Sequence, residues 1–288
     1  MMRGLIRRFL FKYIYQQWNI AIADIGEQFV PKNIKWMKHD YTDRWFADPF
    51  IIEETDEYYI VLVEECMRDT QKGRLARLTL SKEDFRLVKN ETILDLSTHL
   101  SFPNYIDVEG RTYVYPENAS SGNTCYYEYG SELHNPKEFS NLPLADAVIF
   151  KNADSFYLLY TMGENCNGSR LNVSISKEPL NGYEMFQEVT FNDNIARRAG
   201  NVFKWEGRLI SPAQVCNQNY GEGVSLQDLT FEHGKINLKE ITRMPPPSRD
   251  YPKGFHTYNV HGDKVIIDGY RYGSNLLHSI YFSIRKYI

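Results

Sequence analysis

No uninterrupted apolar run in the 288 residues approaches the roughly 20 that a membrane-spanning helix needs, which argues against an integral membrane protein. Cysteine is scarce. The four present (Cys66, Cys125, Cys166, Cys216) lie far apart, with no C-x-x-C pair and no close histidine, so zinc, redox and disulfide frameworks have no support and buried free thiols are expected. There is no Gly-rich phosphate loop, dinucleotide fingerprint or nucleophile elbow, and no cofactor is expected. Charge of one sign is missing too: 33 Lys and Arg against 37 Asp and Glu give a net charge of -4 and a pI of about 6.0. Without a basic field, nucleic acid is not an expected partner.

Aromatic residues are abundant, and 21 Tyr, 16 Phe and 4 Trp exclude a disordered, solvating chain. The length suits one large domain or two small ones. At the N-terminus, Leu5, Ile6, Phe9, Leu10, Tyr13 and Ile14 fall at helical spacing, with Arg3, Arg7, Arg8 and Lys12 between them. The charges interrupt the apolar stretch and no small-x-small cleavage site follows, so secretion is disfavoured. Residues 1–17 therefore read as a basic amphipathic helical segment. Its two fates are contact with an anionic inner membrane face or packing on the domain that follows. The expected location is cytoplasmic.

After about residue 40 short β-type runs dominate, and a unit recurs. Asp48-Pro49-Phe50-Ile51-Ile52 leads through a polar turn to Tyr58–Glu65, and Phe102–Ile106 through Glu109-Gly110 to Thr112–Glu117. Asp146–Phe150 leads to Phe156–Tyr160, Arg198–Phe203 through Glu206-Gly207 to Arg208–Gln214, and His256–Val260 through Gly262-Asp263 to Lys264–Gly269. Hairpins repeating at roughly 40–60 residues are the signature of propeller blades, whose single units cannot bury both sheet faces alone. Five units predict an all-β, five-bladed β-propeller over residues 18–288.

In such a ring the innermost strands converge on one axis, so residues at equivalent strand openings meet at one mouth. Asp48, His99, Ser101, Asp146, Arg197, Arg198 and His256 stand at or just before those openings, and the paired strands end near Glu64, Glu65, Glu117, Gln214 and Asp268. Polar groups gathered in a concavity mark a binding site. Trp45 beside Asp48, together with Tyr220, offers a stacking wall for sugar, and Asn259 follows His256. His256 with carboxylates does not by itself specify a metal, and none is expected. Pro245-Pro246-Pro247-Ser248 reads as a loop over the mouth.

Trp45–Phe50, Glu64-Glu65, His99–Pro103, Pro116-Glu117, Asp146-Ala147, Arg198-Ala199-Gly200, Pro212–Gln214, Tyr220-Gly221 and Gly254–Asn259, in this order and spacing, resemble the propeller domain at the N-terminus of glucosamine inositolphosphorylceramide transferases and its bacterial relatives. More distantly they resemble five-bladed glycosidases of the arabinanase and β-xylosidase type. The glycosidase resemblance implies Asp48 as general base and Asp146 as the carboxylate that tunes pKa. It places the proton-donating Glu of the fourth blade at Arg198, and a guanidinium cannot protonate a leaving alkoxide at neutral pH. Glu65 and Glu117 are the candidate substitutes. The reading preferred here is glycosyl transfer from a phosphate-activated donor in surface glycan assembly, with Asp48 as base. Arg198, with Arg197 and His256, would clamp the phosphate. Two rivals remain: a glycoside hydrolase with a relocated acid, and a non-catalytic glycan-binding propeller.

Overall fold

Runs of Tyr, Phe, Val and Ile broken by Gly, Asn and Asp turns form twenty strands in the computed structural model, which describes residues 14–274. The first two are β1 (Ile14–Ile25) and β2 (Pro31–Trp36). Blade 1 follows as β3 (Arg44–Glu54), β4 (Tyr58–Met67), β5 (Lys72–Ser81) and β6 (Leu87–Leu94), and blade 2 as β7 (Ser101–Val108), β8 (Arg111–Glu117), β9 (Thr124–Glu128) and β10 (His134–Ser140). Blade 3 holds β11 (Ala145–Asn152), β12 (Ser155–Thr161), β13 (Arg170–Ser176) and β14 (Glu184–Thr190). Blade 4 holds β15 (Phe203–Trp205), β16 (Arg208–Val215), β17 (Gly223–Glu232) and β18 (Lys235–Met244), and the chain ends in β19 (Tyr258–His261) and β20 (Lys264–Ser274).

Blades 1 to 4 are antiparallel meanders in chain order, whereas the fifth sheet runs β19-β20-β1-β2. The first strands thus complete the last blade, and β1 pairs with β20 from Ile14–Ser274 to Asp24–Lys264. This hydrogen-bonded seam closes the ring. The five hairpins legible in the sequence are the first two strands of each blade, and the fold is an all-β five-bladed propeller. The helical segment expected at the N-terminus is not supported. Residues 1–13 lie outside the described residues, and Ile14, counted on its apolar face, opens β1. The period there is two: Ile20 and Ile22 pack towards blade 1, and Ala21 and Ala23 towards blade 4.

The core lies between blades. Ile20, Ile22 and Met37 of blade 5 meet Phe46, Val61 and Leu78 of blade 1, while Tyr115 of blade 2 packs with Ala147, Leu158 and Tyr160 of blade 3. Near the axis asparagines tie neighbours together. Asn104 Nδ2 donates to Ala147 O at 3.2 Å and Asn259 Nδ2 to Pro49 O at 2.9 Å, each reaching the residue after the next blade's opening Asp. All four cysteines are free; Cys66 is buried and the other three half-buried.

Candidate functional site

The site starts from a backbone irregularity shared by three blades. Strand pairing slips between Ala47 and Phe50, between Ser101 and Asn104, and between Ala145 and Val148. Inside those bulges φ is +51° at Asp48, +45° at Phe102 and +43° at Asp146, a left-handed conformation costing roughly 1–3 kcal/mol each in non-glycine residues. Carboxylates satisfy the amides the bulges free. Asp48 N–H donates to Asp268 Oδ2 at 3.2 Å, Phe102 N–H to Asp48 Oδ2 at 3.0 Å, and Asp146 N–H to Glu117 Oε2 at 3.0 Å.

Around the axis these groups form a continuous chain. Asp48 Oδ1 accepts the Thr257 hydroxyl at 3.0 Å and lies 3.6 Å from His256 Nδ1, which is 2.6 Å from Asp268 Oδ2. Asp268 Oδ1 also accepts the His256 and Thr257 amides, both at 3.0 Å. Trp18 stacks on the His256 ring with centroids 4.0 Å apart, and Trp45 and Tyr270 pack on Trp18. Tyr220 stands edge-on to His256 at 5.3 Å, with the Arg197 guanidinium 5.3 Å above its own ring. Arg197 bonds Asp146 at 2.6 Å, Glu117 at 2.9 Å and Asn167 at 3.0 Å, and Gln214 Nε2 donates to Asp146 Oδ2 at 2.5 Å. At the rim His99 Nδ1 accepts the Gly73 amide at 3.0 Å, leaving Nε2 to face Glu64 Oε1 at 3.2 Å.

Burial sets the protonation. It is the main cause raising Asp48 to about 6; Asp146 and Asp268 add to it, while His256 and the Thr257 hydroxyl oppose it. Asp146 rises to about 7, again chiefly through burial, with Glu117 adding and Arg197 opposing. Glu64 is raised by burial. Burial pulls the His256 imidazole down, but Asp268 and Asp48 more than offset this and its pKa stands at about 9. For Asp268 burial is outweighed by His256, and its carboxyl is lowered. Asp48, His256 and Asp268 offer three ligand atoms within 4.8 Å of one another and are the residues that could hold a cation. An ion there would have to displace the proton shared by His256 and Asp268.

The structure therefore gathers Asp48, Asp146, Glu117, Arg197, Gln214, Tyr220 and His256 in one largely buried cluster around the axis, with Trp45 behind Trp18 and His99 at the rim. Ser101, buried at the start of β7, pairs with Glu117. Three expected site residues sit elsewhere. Arg198 is fully buried, and its five N–H donors go to Ala196 O twice, Ile195 O, Ser211 Oγ and Gln227 Oε1. With no donor left and no route to solvent it cannot clamp a phosphate; it braces the chain before blade 4. Glu65 is likewise fully buried and spent on Arg44 at 2.8 Å, Arg74 at 2.6 Å and Asn90 at 2.7 Å, so it cannot serve as the acid. Asn259 uses its amide oxygen on Asn201 N–H at 2.8 Å and its nitrogen on Pro49, and is a channel brace. The loop at Pro245 is tethered, since Ser248 accepts Trp36 Nε1 at 3.2 Å and Tyr251 packs on Trp36. Thr257 and Trp18 are site residues that sequence reasoning missed. Trp18 lies outside the repeat and arrives only through ring closure.

A family model described as the N-terminal domain of glucosamine inositolphosphorylceramide transferase 1 matches residues 33–259. Glucosamine inositolphosphorylceramide transferase 1 of Arabidopsis thaliana is 24% identical over 196 residues, 64% of this chain and 25% of that protein, so the chain spans about a quarter of its length. Among solved structures, a GH43 β-1,3-galactosidase superposes with a TM-score of 0.57 at 15% identity, covering 81% of this chain and 57% of that one. The α-L-arabinofuranosidase of Podospora anserina gives 0.56 at 13%, covering 83% and 82%, and the GH62 α-L-arabinofuranosidase catalytic domain of Coprinopsis cinerea 0.55 at 11%, covering 85% and 80%. At such identities these structures speak for the fold alone. The chain belongs to the family of the N-terminal domain of glucosamine inositolphosphorylceramide transferase 1.

Proposed function

We propose that the axial pit binds a sugar of a glycan acceptor, with an amino sugar as its best complement, and that Asp48 takes the proton of the attacking hydroxyl in glycosyl transfer. The balance of groups around the pit carries this reading. Five carboxylates (Asp48, Glu64, Glu117, Asp146, Asp268) meet three basic groups, Arg197, His256 and, at the rim, His99. Gln214 Oε1 is buried with no donor among the described residues. The Gln214 amide cannot be turned to help, because its nitrogen serves two acceptors, Asp146 Oδ2 and Arg198 O. Such a pit lacks hydrogen-bond donors, which hydroxyls or an ammonium supply and a diphosphate does not. Arg197 is already shared by two carboxylates and is no free phosphate clamp, so the donor's phosphate is handled outside the pit.

The transferase relative, whose name includes glucosamine, supports transfer and the amino sugar. A pKa near 6 leaves Asp48 ionised at neutral pH yet basic enough to accept a proton. Titration calorimetry with glucosamine, glucose and glucose 1-phosphate tests the reading. Affinity should fall in that order, and Asp48→Asn should cost at least tenfold; tighter binding of the sugar phosphate than of glucose would defeat it. Hydrolysis is the second reading, favoured by Glu64, a buried carboxyl beside Asp48 with a raised pKa. It requires release of reducing sugar that Glu64→Gln abolishes.

A further inference from the structure

We propose that a cleft of about 480 Å³ on blade 4 is a second sugar subsite, so that the protein reads at least two sugars of an amino-sugar oligomer. This rests on the pit being a sugar site. The cleft is lined by Val215, Asn217, Gln218, Glu222, Arg243 and Met244, and its volume lies within the range of about 300–1,000 Å³ common to small-ligand sites.

One loop, residues 216–222 between β16 and β17, separates cleft from pit. On its pit side Tyr220 stands against His256 and Arg197, and Gly221 approaches so closely that an added Cβ would lie 2.9 Å from His256 Cβ. Asn217, Gln218 and Glu222 are on its other side. The loop is held in place: Glu222 accepts the Gln218 amide at 3.3 Å and the Asn219 amide at 3.0 Å, and Asn217 Oδ1 accepts Asn194 N–H at 2.9 Å. Behind it the chain runs from Asp193, bonded to Arg243 at 2.6 Å in the cleft, to Arg197 in the pit. A ligand crossing the Tyr220 loop would therefore touch both.

The cleft chemistry suits a pyranose. Val215 and Met244 give an apolar floor for the C–H face of a ring, while the exposed Gln218 side chain, which has no protein partner among the described residues, offers both a donor and an acceptor to hydroxyls. Of the charged residues, Glu222 and Arg243 line the cleft, and Asp193 and Glu240 bond Arg243 from outside the lining, so the one guanidinium is neutralised and Glu222 is left facing the ligand. An oligomer with one ammonium per sugar matches both places.

Calorimetry of the intact protein with glucosamine and with its β-1,4-linked tetramer tests this. Four sugars competing for a single site would raise apparent affinity at most about fourfold. The wild type should bind the tetramer at least tenfold more tightly than the monomer, and Gln218→Ala and Gln218→Trp should each bring that ratio below fourfold. Equal affinities in the wild type, or an unchanged ratio in both variants, would overturn the second subsite while the pit reading stands. Binding of neither sugar would overturn both.

Discussion

Replacing Arg198 by alanine separates a brace from a clamp. Its five donors meet four acceptors, Ala196 O accepting twice, in a fully buried setting. After truncation Ile195 O keeps the Gln227 amide at 3.0 Å and the Ser211 hydroxyl is free to turn, but Ala196 O and Gln227 Oε1 lose their donors. Two orphaned acceptors cost roughly 1–3 kcal/mol each. The methylenes lost beyond Cβ remove about 1.5 kcal/mol of burial. Relief of a charge buried without a carboxylate opposes both; that same burial lowers the guanidinium to about 9. The net expectation is a loss of about 3 kcal/mol, in the range found when buried charge networks are broken. For a chain of this size the loss corresponds to a fall of roughly 6–12 °C in Tm. Urea unfolding with calorimetry on the folded variant gives both readouts: stability should drop while glucosamine affinity stays within about twofold. An Arg198→Ala protein as stable as the wild type that no longer bound ligand would refute the reasoning and restore the clamp.

Glu65→Gln should leave Arg44 and Arg74 without their shared carboxylate and cost about 3 kcal/mol or more in urea unfolding with little change in ligand affinity, whereas Glu64→Gln should fold normally and weaken binding. Because His256 stands at about 9 when folded against 6.5 when unfolded, the folded state holds the extra proton between those values. Its contribution is fully present below pH 6.5 and is lost as pH rises through 9, up to about 3 kcal/mol; unfolding at pH 6.5 and 9 should show the slope, and His256→Gln should flatten it. The basic N-terminal segment should carry contact with anionic membranes: the full chain should co-sediment with phosphatidylserine vesicles at low salt and a chain starting at Ile14 should not, and equal sedimentation of the two would rule the segment out.

The ring was legible because its unit is local. Each hairpin carries its own alternating apolar pattern and turn, and the opening Asp48, Asp146 and His256 stand at matching places within it. The exits were legible for the same reason, and Glu64, Glu117, Gln214 and Asp268 all join the polar chain around the axis. What escaped the repeat was whatever arrives from outside it. Trp18 reaches His256 only because β1 pairs with β20, a contact between residues some 250 positions apart that no local pattern announces. The expected N-terminal helix is not supported where the described residues begin. Leu5 to Ile14 fit a helical period, but at Ile14 the chain enters a strand whose alternation continues through Ile20 and Ile22.

Within the site the errors share one physical origin. Extended chain sends successive side chains to opposite faces, so two like residues side by side cannot do the same work. Glu64-Glu65 and Arg197-Arg198 are such pairs, and in each the residue first favoured as acid or clamp is the one turned away. Glu65 faces Arg44 and Arg74 within blade 1 while Glu64 faces His99 and the pit; Arg198 faces Ser211 and Gln227 within blade 4 while Arg197 faces Asp146 and Glu117. Backbone pairing decides between them: Glu64 and Glu65 pair with Ala47 and Phe46 next to the Asp48 bulge, and Arg198 pairs with Ala213 of β16, contacts that composition does not record. The functional consequence is large. A free arginine at the axis would make the pit a phosphate site, whereas an arginine divided between two carboxylates leaves it short of donors and open to hydroxyls and amines. Under the function proposed above, one residue of facing moves the preferred ligand from the anionic half of a sugar donor to the hydroxyl-bearing acceptor.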